Sequence, residues 1–304
     1  MRLRFTRIDG LLLIMTVIWG GNFAVVKVAM REIPECGFGA LRLLLASVVF
    51  AFVMARRGGL WAGIRRVNGD DWRRIALLAV IGHTIYQMLF LGGVARTSVA
   101  NSSLIFGATP VVVSLVSSAV GHERIGPLRW AGVLLSFAGI YLVVSQEQGA
   151  GATRLGDLMI VGALMMWTVF TIGSRPLLSR HSPLVLTGFT MMIGAAGYLP
   201  VGVPSLITLD WTKVSTMAWV GMIYSSVFAL VVAYLIWYTG VQHLGNSHTS
   251  LYSNVVPIVA MAIAAVVLGE PLTLRKIAGA GAVLAGLALT RVETGSRPPS
   301  PVDA

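Results

Sequence analysis

The stretches 104–123, LIFGATPVVVSLVSSAVGHE, and 251–270, LYSNVVPIVAMAIAAVVLGE, lie 147 residues apart, and their register decides the fold. Leu104 superposes on Leu251, Pro110 on Pro257 and Glu123 on Glu270. Shared hydrophobicity does not place a proline and a glutamate at one offset, so these are two copies of one unit. The match extends outward: Gly93 meets Gly240, Gly132 meets Gly279 and Gly139 meets Gly286. A shift one residue longer aligns Asp9 with Asp157, Trp19 with Trp167 and Lys27 with Arg175.

Both copies are apolar throughout. Of the 304 residues 56% are hydrophobic and 12% charged, with a mean hydropathy of +0.81. A soluble domain carries about twice that charge. A membrane helix needs roughly 17 to 25 mostly apolar residues, and ten such spans are predicted, at 10–29, 38–54, 75–94, 97–120, 127–144, 155–174, 184–205, 215–240, 244–268 and 273–290. The fold class is therefore an all-α polytopic membrane protein of ten transmembrane helices, with residues 1–145 as a first five-helix repeat and 153–291 as a second. Residues 292–304, with Pro298, Pro299 and Pro301, read as a disordered cytoplasmic tail. Five is odd, so the second repeat enters the membrane in the opposite sense. Inverted repeats mark many secondary transporters, whose substrate sites lie near mid-membrane between the halves.

The net charge of +11 would fit nucleic acid if it lay on one solvated face. The dense cluster at 56–74 instead sits between two spans without an aromatic platform, so no nucleic acid is expected. With the N-terminus inside, fifteen Lys and Arg fall on the cytoplasmic side and six outside, which places both termini in the cytoplasm. The single cysteine, Cys36, precludes an intrachain disulfide and a cysteine-rich metal site. The basic start followed by an apolar run resembles a secretory signal, but without a small-residue cleavage site it reads as an uncleaved first span.

Two five-helix halves, each with a proline in the fourth span and a glutamate thirteen residues later, resemble the EamA-type transporters of the drug/metabolite transporter superfamily. The resemblance covers about residues 8–290, and Arg42 is similar to that family's second-helix arginine. Its repeat counterpart falls near Met191, so the second half lacks this feature. The resemblance implies a multi-pass carrier of the cytoplasmic (inner) membrane that moves amino acids, related metabolites or drugs, often outward, and it names no single substrate.

Polar groups at mid-membrane are costly unless paired or facing an internal cavity, and so locate candidate sites. His83 and Gln87 share a face of the third span with Tyr86 beside them; Trp19, Asn22 and Phe23 share one on the first; Tyr234, Trp237 and Tyr238 follow helical spacing on the eighth. As a set, Trp19, Asn22, His83, Tyr86, Gln87, Tyr234 and Trp237 predict an amphipathic cavity with aromatic walls, although interhelical hydrogen bonding or packing accounts for each alone. Asn101, His248 and Tyr252 fall near span ends and are candidate gates, as are the helix-kinking Pro110 and Pro257. Lys27 and Arg42 either snorkel to water or attract an anionic substrate group. Glu123 and Glu270 are expected to cap the helix that follows each. The small residues Gly132, Ser136, Gly139, Gly279, Ala282 and Gly286 predict close helix seams, within the chain or in a homodimer.

No Asp or Glu falls in the middle of a span, so facilitated diffusion or exchange is expected, with His83 and His248 as the groups to carry protons if transport is coupled. An intramembrane enzyme is the rival reading, yet no Gly-x-Ser-x-Gly elbow or His-Glu-x-x-His pair occurs. No catalytic residue, metal or cofactor is expected. The partners are a small-molecule substrate and the lipid bilayer.

Overall fold

The computed structural model describes residues 6–57, 63–65, 67–119, 127–144, 153–245 and 249–292, and none of these lies in a strand. In the first half α1 spans Arg7–Ala29, α2 Glu35–Arg56 and α3 Gly69–Arg96. Helix α4 comes in two pieces, Val99–Gly107 and Thr109–Ala119, and α5 spans Pro127–Val144. In the second half α6 is Arg154–Leu178, α7 Pro183–Ile207, α8 Thr216–Leu244, α9 Val255–Leu268 and α10 Leu274–Val292. Single 3₁₀ turns, Trp211–Lys213 and Leu251–Asn254, precede α8 and α9.

Among the described residues six helices, α1, α2, α3, α6, α7 and α8, are long and apolar enough to cross a membrane, and α4, α5 and α9 contribute shorter apolar segments. The sequence expectation of ten full spans is thus met at full length by six. The fourth is interrupted for a local reason: Pro110 has no N–H and its ring crowds the carbonyl four residues back. Thr109 compensates by donating its hydroxyl to that carbonyl, Phe106 O, at 2.5 Å. Helix starts are set by short polar side chains that accept an otherwise unpaired backbone N–H. Thr6 forms a capping box with Asp9, and Asn68, Ser98, Thr153, Ser182 and Ser215 cap α3, α4, α6, α7 and α8.

Both third helices of the expected repeats carry a π-helical segment, Val80–Ile85 in α3 and Ser225–Val232 in α8. The extra residue per turn leaves backbone carbonyls displaced from the usual ladder, a feature common at functional sites. The expected small-residue seam forms within the chain. Helix α5 packs along α10 so closely that a Cβ at Gly139 would stand 2.7 Å from Gly279 O, and one at Gly286 would collide with the backbone of Gly132. Large apolar side chains such as Val17, Phe52, Leu77, Leu134 and Ile207 face outward, as expected beside lipid tails.

Candidate functional site

The helices converge on an aromatic core. Trp19 of α1 lies 5.6 Å from Trp167 of α6 and 5.4 Å from Trp237 of α8, ring centre to ring centre. Trp167 meets Tyr86 of α3 at 5.6 Å and Tyr234 of α8 at 5.3 Å. Beside these rings is a cavity of about 60 Å³, room for several waters by the ~10–15 Å³ that each requires. Its walls come from α1, α2, α3, α4, α6, α8 and α9, hence from both halves.

Four expected binding residues line it, Trp19, Asn22, Tyr86 and Tyr234, together with Arg42. His83 and Trp237 stand behind the wall: His83 packs on Tyr234 at 5.6 Å and on Phe170 at 4.9 Å, and Trp237 packs on Trp19. Gln87 is fully buried outside the cavity lining, and neither end of its amide has a hydrogen-bond partner among the described residues. His83 Nε2 lies 3.2 Å from Thr190 Oγ1, whose own proton goes to Leu186 O at 2.9 Å. The direction of that contact follows the tautomer of the ring, and Nδ1 is buried without a hydrogen-bond partner among the described residues. Trp19 spends its indole N–H on Ala229 O, a carbonyl of the α8 π-helical segment, at 3.0 Å.

Arg42 is the unusual group. It is 2% exposed, its Nε and Nη1 have no hydrogen-bond partner, and it takes part in no ion pair among the described residues. Its guanidinium lies 5.9 Å from the Phe38 ring centre. Lys27, grouped with Arg42 in the sequence, sits elsewhere. Its Nζ donates to Val94 O at 2.8 Å, Ala95 O at 3.1 Å and Thr97 O at 2.6 Å, so all three ammonium protons close the C-terminus of α3.

The expected gate residues bridge the halves at opposite ends of the bundle. Asn101 Nδ2 and Thr97 Oγ1 donate to the buried Asp157 at the start of α6, at 3.3 and 2.5 Å. Tyr252 donates to Asp9 at the start of α1, at 2.5 Å. Pro110 and Pro257 are both buried, and Pro257 rests on Gly107, where an added Cβ would approach its ring to 2.9 Å. His248 and Glu123 lie outside the described residues. Glu270 departs from expectation. It follows Gly269, whose φ of +65° turns the chain sharply at the end of α9, and its carboxylate accepts from Val99 N at 2.8 Å and Ala100 N at 3.1 Å. It therefore caps α4 in the opposite half rather than the helix that follows it, because the unpaired N–H groups of α4 lie within its reach.

Sequence reasoning did not single out Phe90, Phe106, Thr109 and Ser253 as cavity residues. Trp167 was within reach of it, since it is the repeat counterpart of Trp19.

The EamA-like transporter family matches residues 6–145 and, a second time, residues 154–292. The chain belongs to the EamA-like transporter family. Among its relatives, an uncharacterized transporter of Archaeoglobus fulgidus is 28% identical over 92% of this chain and 96% of its own. A probable terminal-alkyne amino-acid exporter of Streptantibioticus cattleyicolor is 26% identical, covering 94% of each chain. A probable amino-acid metabolite efflux pump of Salmonella typhimurium is 25% identical over 93% of this chain and 94% of its own. A solved structure at 16% identity superposes with a TM-score of 0.66 over 92% of this chain and 95% of that one, which shows that the two chains share a fold.

Proposed function

We propose that this EamA-family protein is a secondary transporter of ten spans in two inverted five-helix repeats, carrying a small metabolite through the central cavity by alternating access. The substrate is an amino acid or a related amphipathic compound, and the protein acts as an exporter or facilitator rather than an enzyme. It resides in the cytoplasmic membrane with both termini inside, the orientation favoured by the distribution of Lys and Arg.

One observation carries this reading: the cavity is walled by both halves, by Trp19, Asn22, Arg42 and Tyr86 from the first and Trp167, Tyr234 and Ser253 from the second. A site shared between two units opens to either side as they rock. The bonds from Asn101 to Asp157 and from Tyr252 to Asp9 cross between the halves at opposite ends, where gates belong. The paired π-helical segments in α3 and α8 favour the same repeat symmetry. The names of two relatives, an amino-acid exporter and an amino-acid metabolite efflux pump, favour the substrate class.

Flux of a metabolite panel in proteoliposomes tests the proposal. Saturable uptake of at least one amphipathic metabolite is expected, reduced several-fold by Tyr234→Ala with membrane insertion intact. Flux unchanged by that substitution would move the pathway away from the cavity.

A further inference from the structure

Resting on the transport reading, we infer that the central cavity selects an organic carboxylate with an apolar, preferably aromatic, body, and that it has no requirement for an α-ammonium group. The argument begins from charge. Arg42 brings one full positive charge to the cavity wall, and none of the other lining residues is an Asp, Glu, Lys or Arg. The polar side chains that line the cavity with Arg42 are Asn22, Thr109 and Ser253, the phenols of Tyr86 and Tyr234, and the indoles of Trp19 and Trp167, none of which is a carboxylate. A guanidinium almost wholly removed from water, with Nε and Nη1 unbonded, is held at a large desolvation penalty that an anion offsets. The missing partner is therefore one negative charge.

The remaining groups narrow its chemistry. A phosphate monoester brings close to two negative charges and would leave one unmatched among apolar walls, whereas a carboxylate leaves none. A zwitterion matches Arg42 through its carboxylate but must also bury an ammonium beside that arginine. For the ammonium the lining offers no carboxylate, and Asn22 Oδ1 is an unpartnered amide oxygen rather than a counter-ion. Ring faces supply little substitute attraction, because they are occupied by their neighbours. Trp19 meets Trp167 and Tyr234 edge to face at 87° and 84°, and Tyr86 stacks on Phe90 at 17°. The ring edges that remain, with Phe23, Phe106, Leu230 and Val256, form apolar walls that suit an apolar body.

Three probes with one phenethyl body separate the possibilities: 3-phenylpropanoate, phenylalanine and 2-phenylethylamine. Their binding to the purified full chain is read by quenching of tryptophan fluorescence, since Trp19 and Trp167 line the cavity and Trp237 adjoins it. For the wild type, 3-phenylpropanoate is expected to bind at least about tenfold more tightly than the amine and no more weakly than phenylalanine. Arg42→Gln should weaken the carboxylate by at least about tenfold and leave the amine unchanged or tighter, while Arg42→Lys keeps the order of the three. Tighter binding of phenylalanine or of the amine by the wild type would overturn the inference, as would a carboxylate affinity indifferent to Arg42→Gln. The wild-type ranking decides even if Arg42→Gln does not fold. Failure of all three probes to bind also overturns the ligand class, and it leaves the transport reading to the metabolite panel, which presupposes no carboxylate.

Discussion

Lys27 and Arg42 look alike in the sequence, as basic residues inside apolar spans, and the structure separates them by what surrounds each nitrogen. Three carbonyls take the ammonium of Lys27 at the end of α3. Lys27→Met should therefore lower stability by about 1.5–3 kcal/mol, the usual range for hydrogen bonds made by a charged group. Thermal unfolding in detergent reads this as a lower Tm, with ligand affinity unchanged; a loss of affinity at constant stability would return Lys27 to the substrate path. Gln87 gives the converse case. Its amide is buried with both ends unpartnered, so Gln87→Leu removes a desolvation penalty and should raise stability by about 1–3 kcal/mol. A drop in flux without a drop in Tm would assign that amide to the substrate, and a large loss of stability would reveal a structural role. That Trp19, Asn22, Tyr86 and Tyr234 share one cavity was legible in the sequence because polarity within apolar spans and helical spacing are one-dimensional signals. The partners of Lys27 and Glu270 were not, since both reach across from other elements.

Two features of the helices determine where these side chains arrive. The π-helical segments at Val80–Ile85 and Ser225–Val232 shift the faces of α3 and α8, so His83 turns toward Thr190 while Tyr86 enters the cavity. A 3.6-residue period carries no mark of that extra residue, which is why His83 and Gln87 were placed with Tyr86 on the lining. The proline in α4 was legible, and its compensation by the preceding threonine was not. Thr109→Val removes the hydroxyl's bond to Phe106 O, which keeps a backbone N–H donor at the break, and should cost about 0.5–1.5 kcal/mol, measured by denaturant unfolding; an unchanged midpoint would mean that the backbone N–H alone satisfies the carbonyl. The seam of α5 and α10 offers a matched pair of tests. Gly286→Ala sets a methyl against the backbone of Gly132 and should destabilise by about 1–3 kcal/mol, whereas Gly281→Ala meets nothing within 4 Å and should be tolerated.

For the whole molecule, the repeat of Pro110 and Pro257, Trp19 and Trp167, and Asp9 and Asp157 is the sequence signal from which a two-unit organisation is expected. What sequence did not disclose was how the units meet, through Asp157 at one end, Asp9 at the other and Arg42 between aromatic walls. The orientation of the bundle is open to a chemical test through the lone thiol. Cys36 is partly exposed in the first turn of α2, on the side the Lys and Arg distribution puts outside, so a membrane-impermeant thiol reagent should label it on intact cells. Labelling only after lysis would reverse the proposed topology.

The central claim, that both halves take turns exposing one cavity, is tested most directly by solvent access to a cavity residue from each face. Ser253 lines the cavity and cysteine is nearly isosteric with serine, so Ser253→Cys in a Cys36→Ser background places one thiol at the site. The protein is reconstituted in one orientation, and an impermeant thiol reagent is applied to the outer or the inner face alone. Alternating access requires labelling from each face. Labelling from one face only, or from neither while the denatured protein reacts fully, would contradict it.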